Sequence, residues 1–125
     1  MARPEDILQK AVCDYLDRCL PSACYWCAIP NGAVLAGGKK ERGMQMNKLK
    51  ATGLKPGAPD LFVIYNGRFI GIELKSSSGR TNDNQKRASD QITVAGGLYS
   101  ICRSVDEVES FLRMVGLPMF GRLAA

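Results

Sequence analysis

The chain has 125 residues with 17 Lys and Arg against 12 Asp and Glu, a formal net charge of +5, and no histidine. That length suits one modest core, so a single domain over residues 1–125 is expected, and no run is apolar for long enough to span a bilayer. The opening Met1-Ala2-Arg3-Pro4-Glu5-Asp6 lacks the apolar stretch of a signal peptide, which makes a cytosolic protein the default.

Pro4 suits a first helical turn, with Glu5 beside it. Ile7, Leu8, Ala11, Val12, Tyr15, Leu16 and Leu20 then recur at helical spacing until Pro21 stops the helix. A strand follows over residues 25–29, and the glycine-rich residues 31–38 read as a mobile loop. Met44 to Thr52 is expected as a short helix closed by Gly53, and Lys55-Pro56-Gly57-Ala58-Pro59 as extended loop leading into Asp60. Two runs rich in β-branched and aromatic residues, 61–65 and 68–75, read as strands joined at Asn66-Gly67. Beyond a loop at residues 76–80, Thr81 or Asp83 can cap a helix over residues 84–95 that ends at Gly96-Gly97. Residues 98–102 form a strand. Ser104-Val105-Asp106-Glu107 is a capping box opening a last helix, with Val105, Val108, Phe111, Leu112 and Val115 as its apolar stripe. The apolar tail Leu117-Pro118-Met119-Phe120 either caps the core or belongs to a subunit interface. The order α-β-α-β-β-α-β-α implies an α/β fold, a mixed sheet with helices packed on its faces.

The hairpin carries the chemistry. Asn-Gly between two strand-like runs is the strongest short-range signal for a two-residue turn. Such a turn pairs Tyr65 with Arg68 and carries the register on to Asp60 opposite Glu73, with Lys75 on the same face. Opposed side chains lie roughly 5 Å apart at Cβ, and like charges there are destabilising unless something neutralises them. Two carboxylates and a lysine on one sheet face point to a divalent-metal site with a catalytic amine beside it. A three-residue turn or a bulge would move the acids out of opposition.

Lys39, Lys40, Arg42, Lys48, Lys50 and Lys55 fall in one stretch opposed only by Glu41, and Arg80, Lys86 and Arg87 follow the hairpin. Basic clusters on both sides of an acidic centre are the footprint of a polyanion partner, here nucleic acid. The five cysteines, Cys13, Cys19, Cys24, Cys27 and Cys102, are an odd number and form no disulfide framework. Cys24-Tyr25-Trp26-Cys27 has C-x-x-C spacing, but strand alternation puts its sulfurs on opposite faces, and neither histidine nor a second such pair completes a zinc site. Core thiols are the expected reading.

Gly57-Ala58-Pro59-Asp60, then Glu73-Leu74-Lys75, then Gln85 at the start of the next helix, resembles the PD-(D/E)xK nuclease superfamily. The opening Glu5-Asp6-Ile7-Leu8-Gln9 and the Ile29-Pro30-Asn31-Gly32 segment resemble its stand-alone VRR-NUC domains, and the likeness spans nearly the whole chain. The resemblance implies a restriction-endonuclease-like fold and phosphodiester hydrolysis with Mg²⁺ or Mn²⁺. It implies Asp60, Glu73 and the Leu74 backbone carbonyl as ligands, with Glu5 as a further metal-side acid, direct or through water. Lys75 would position or activate the attacking water, and Gln85 would orient water or substrate. Lys39, Lys40, Arg42, Lys48, Arg80 and Lys86 are the expected phosphate contacts. Stand-alone members resemble Holliday-junction resolvases, which implies branched DNA as substrate and a homodimer whose two sites make symmetric incisions.

Plainer readings stand beside these. Glu73 and Lys75 are also compatible with a surface ion pair, Asp60 with a turn cap, Glu5 with the helix dipole and Gln85 with an ordinary helix start. At the level of the whole chain the competing functions are a catalytically inactive nucleic-acid-binding module and a small zinc-binding interaction protein.

Overall fold

The computed structural model describes residues 3–30 and 35–121. Its elements are α1 (Pro4–Cys19), β1 (Tyr25–Ala28), α2 (Lys39–Ala51), β2 (Leu61–Tyr65), β3 (Arg68–Leu74), α3 (Asp83–Val94), β4 (Leu98–Cys102) and α4 (Val105–Met114), in the expected order. The strands form one four-stranded sheet ordered β1-β2-β3-β4, antiparallel except for the parallel β3–β4 pair that α3 bridges.

The Asn66-Gly67 turn fixes the register as the sequence predicts. Asn66 has φ 51° and Gly67 has φ 75°, the two left-handed positions of a type I′ turn, and Tyr65 pairs with Arg68 through to Leu61 with Ile72. Alternation then divides the sheet. Leu61, Val63, Ile70, Ile72, Leu74 and Cys102 face one side and pack with Val12, Tyr15 and Leu16 of α1 and Val108, Phe111 and Leu112 of α4. Glu73 alternates to the opposite face, where α3 lies. Both faces of β3 are therefore covered towards its C-terminal end, where residues 70–75 are all buried.

Several local expectations change. Ile7 belongs to the apolar repeat of α1 yet is 60% exposed, because the first turn reaches past the core towards residues 76–79. α2 starts at Lys39 rather than Met44. The run Lys39-Lys40-Glu41-Arg42-Gly43 carries no apolar residue to mark a helix, but Glu41 in the first turn and Lys48 and Lys50 in the last suit the helix dipole. An added Cβ at Gly43 would meet nothing, so this glycine costs the helix only its propensity, about 1 kcal/mol. The cap of α3 is Asn82, between the two residues favoured from sequence. At α4, Ser104 accepts from the Glu107 N–H, while Glu107 reaches one residue further back, to the Arg103 N–H at 2.9 Å, so the capping box is only half formed. Leu117 and Met119 join the core while Phe120 is 62% exposed. All five cysteines are free, Cys19 and Cys102 buried and the others half-buried, and Cys24 lies just before β1 rather than on it. Asn31 and Gly32, with the first half of the glycine-rich stretch, lie outside the described residues. Among the described residues no helix is long and apolar enough to cross a membrane.

Candidate functional site

The site forms where β3 ends. Asp60 immediately precedes β2, and its Oδ2 accepts from the Leu74 N–H at 2.7 Å, across the end of the hairpin. Its own backbone carbonyl accepts from the Ile29 N–H at 2.7 Å, which ties the residue to the end of β1 as well. Glu73 is 4% exposed. Burial, then the neighbouring Asp60 charge, push its carboxyl up to about 7, against smaller lowering effects from Lys75 and the Asp60 backbone. Asp60 is also raised, chiefly by burial, with the Leu74 hydrogen bond opposing and the Glu5 charge adding to it. The two acids thus repel one another in a place that solvates neither well.

Lys75 is 9% exposed, and its Nζ stands 3.8 Å from Glu73 Oε2. The same oxygen accepts from Gln85 Nε2 at 2.6 Å. Gln85 cannot present its other end, because its Oε1 accepts from the Asn82 N–H at 3.1 Å while Asn82 Oδ1 accepts from the Gln85 N–H at 2.9 Å. The helix cap therefore orients the amide, and the amide meets the buried carboxylate. Gly57 brings the preceding loop against this cap. Its φ is +87°, and a Cβ there would overlap the Asn84 carbonyl and lie 2.7 Å from the Gln85 nitrogen.

Glu5 approaches from the first turn of α1, with Oε1 3.5 Å from the Ser76 N–H. A Cβ at Gly79 would lie 3.2 Å from that oxygen and 3.3 Å from Lys75 Cδ, so the loop, the first helix and the lysine converge. Arg103 holds this loop, donating to the carbonyls of Ser76 and Gly79 at 2.7 and 2.8 Å. Sequence reading gave Arg103 no role; its partners are main-chain carbonyls more than twenty residues away, which no local pattern announces.

Asp60, Glu73, Lys75 and Gln85 are thus gathered at one point, with Glu5 at its margin and Leu74 contributing its N–H to Asp60. Lys39, Lys40, Arg42 and Lys48 on α2, Arg80 in the loop after β3 and Lys86 on α3 are all exposed. No group of three or more His, Cys, Asp or Glu residues among those described is close enough to cage a metal ion. Glu5 therefore does not complete such a group with Asp60 and Glu73. A pair of carboxylates is a donor set of the kind Mg²⁺ or Mn²⁺ uses, since these ions bind through one or two carboxylates and keep waters or substrate oxygens. Glu73 Oε1 is buried without a hydrogen-bond partner, and a cation there would satisfy it and relieve the repulsion with Asp60.

No protein-family model matches the chain, and no curated protein matches it in sequence. A solved structure described as a VRR_NUC domain protein superposes on it with a TM-score of 0.68, over 91% of this chain and 88% of that one, at 19% identity. The chain has the fold of a VRR_NUC domain protein.

Proposed function

We propose that the protein is a divalent-metal-dependent endonuclease that hydrolyses DNA phosphodiester bonds, selects branched DNA such as four-way junctions, and acts as a homodimer. The observation that carries the reading is the buried Glu73 carboxylate with the half-buried, mutually repelling Asp60 beside it and Lys75 Nζ 3.8 Å from Glu73. A structural ion pair would not require a second acid set against the buried one.

Asp60 and Glu73 would hold Mg²⁺ or Mn²⁺, with the Leu74 carbonyl as a further ligand and Glu5 acting directly or through water. Bound there, the ion supplies a more acidic water and charge stabilisation at the phosphate. Lys75 positions the attacking water and balances charge developing on the phosphate oxygens. Gln85 fixes Glu73 through Oε2 and leaves Oε1 free to face the cation. Exposed Lys39, Lys40, Arg42, Lys48, Arg80 and Lys86 supply phosphate contacts, which position DNA without reading its sequence. Branch selectivity is consistent with that surface, and a single site per chain with a two-fold dimer making paired incisions.

A cleavage panel of duplex, flap, fork and four-way junction DNA in Mg²⁺ and Mn²⁺, with wild type and Glu73→Ala, tests the proposal. Expected is metal-dependent cleavage strongest on a branched substrate and lost in the variant. Binding of all substrates with cleavage of none would identify an inactive nucleic-acid-binding module instead.

A further inference from the structure

Two buried side-chain polar atoms among the described residues have no hydrogen-bond partner, Glu73 Oε1 and the Tyr99 hydroxyl. They lie on the same face of the sheet. Tyr99 on β4 is in register with Gly71 on β3, and Glu73 is two residues beyond Gly71, so its side chain projects to the same side. Gly71 has no side chain of its own, and the Pro59 and Phe69 side chains lie over it, 3.1 and 3.2 Å from where its Cβ would stand. The pair is chemically complementary, a phenolic O–H donor and a carboxylate acceptor. Buried polar groups without partners are destabilising, and native interiors hold few of them.

Electrostatics connects them independently of the pairing. After burial, the charges that raise the Tyr99 phenol above its usual range are those of Glu73 and then Asp60. The hydroxyl therefore remains a protonated donor at neutral pH, on the sheet face that carries Glu73. No direct hydrogen bond joins the two orphans. A phenolic donor and a carboxylate acceptor that do not meet directly are partners of the kind a buried water takes, two to four in number.

We propose that Tyr99 is a positioning residue of the acidic centre. Its hydroxyl donates to one buried water, which donates to Glu73 Oε1. The Glu73 carboxylate is then steadied from both sides, by Gln85 at Oε2 and by Tyr99 through water at Oε1, and the second lone pair of Oε1 stays available to a cation. The bridge itself does not depend on the nuclease assignment; its consequence for cation binding rests on that reading.

Metal-free crystals of wild type and Tyr99→Phe, diffracting well enough to show ordered water, decide the first part. Expected in wild type is one water within hydrogen-bonding distance of both the Tyr99 hydroxyl and Glu73 Oε1. In Tyr99→Phe that water is lost and the Glu73 carboxylate turns or spreads over more than one orientation. A hydroxyl bonded elsewhere in wild type, or an unmoved carboxylate and water in the variant, overturns the proposal. Calorimetric Mn²⁺ titration gives the second readout: Tyr99→Phe should bind roughly tenfold more weakly, the lower end of the loss typical when a ligand's supporting hydrogen bond is removed. Its melting temperature should stay within a few degrees of wild type, which separates positioning from folding. Equal Mn²⁺ affinity in the two proteins rejects the positioning role. If neither protein binds Mn²⁺, the metal assignment fails, while the crystallographic comparison still decides the Tyr99 bridge.

Discussion

Gln85 Nε2 donates to Glu73 Oε2 at 2.6 Å, and the same amide closes the cap of α3. One side chain thus couples the start of a helix to the orientation of a buried acid at the end of a central strand. The helix cannot fray at its first turn without releasing the carboxylate.

Replacing Gln85 with Leu removes both bonds. The expected loss of stability is about 1–2 kcal/mol, from half a capping box and an unpaired buried carboxylate oxygen. Cleavage should fall by roughly 10–100-fold through a looser Glu73. Denaturant unfolding and single-turnover cleavage measure the two effects separately. A Gln85→Leu protein that is destabilised but cleaves at the wild-type rate would remove Gln85 from the site.

The raised carboxyl of Glu73 gives stability a definite pH dependence in metal-free protein. Its folded value of about 7 lies above the ordinary 4.5, so between those values the native state holds more protons than the unfolded chain. Stability should therefore fall as pH rises from 4.5 to 7, then level off for this group. Glu73→Gln removes the penalty and should be more stable than wild type at pH 8, by up to about 3 kcal/mol, with the difference shrinking towards pH 4.5. Thermal unfolding across that range in chelator tests this. A variant less stable than wild type at pH 8 would mean that the ionised carboxylate is stabilising where it sits.

The two site glycines should respond differently to alanine. Gly57 has φ +87°, and a methyl there meets backbone of Asn84 and Gln85, which cannot yield without moving α3. Gly57→Ala should cost more than about 2 kcal/mol and abolish cleavage. Gly79 carries no such conformational strain, and its nearest contacts are the Glu5 carboxylate oxygen and the Lys75 stem at Cδ, 3.2 and 3.3 Å away. Gly79→Ala should unfold within about 1 kcal/mol of wild type yet cleave more slowly, because it displaces those two side chains. Equal stability of the two variants would argue against the close approach at Gly57.

Much of this arrangement was legible in the sequence, and the unread parts have physical causes. Asn66-Gly67 selects one turn type, and one turn type fixes every pairing up to the hairpin's end. That register runs as far as Leu61 with Ile72 and leaves Asp60 just beyond it, where its side chain accepts from the Leu74 N–H. The start of α2 was not legible, since its first turn consists entirely of charged residues and buries nothing. The choice of Asn82 over Thr81 or Asp83 as cap depends on which side chain finds the Gln85 N–H, a matter of one residue's phase. Tyr99 reads as an ordinary strand aromatic, and only its unpaired buried hydroxyl sets it apart. Arg103 acts on main-chain carbonyls distant in sequence.

The exposed basic side chains of α2 lead to a prediction about binding rather than chemistry. Substituting Lys39, Lys40 and Arg42 together with Gln should weaken DNA binding and reduce the slope of log affinity against log salt by roughly 2–3. The loss should be similar for all DNA sequences of one shape, since phosphate contacts carry no base information. Binding isotherms at several salt concentrations, in chelator to prevent cleavage, measure it. An unchanged slope would place the DNA path elsewhere.

The central claim is that Lys75 acts on chemistry at a metal held by Asp60 and Glu73. The most direct measurement is the single-turnover cleavage rate of Lys75→Ala in saturating Mn²⁺, with Mn²⁺ and DNA affinities measured on the same preparation. The account predicts a folded variant that binds both ligands within a few-fold of wild type and cleaves at least about 10²-fold more slowly, as expected for loss of a proton-handling group. Cleavage at the wild-type rate by Lys75→Ala, or cleavage by wild type that persists in chelator, would contradict it.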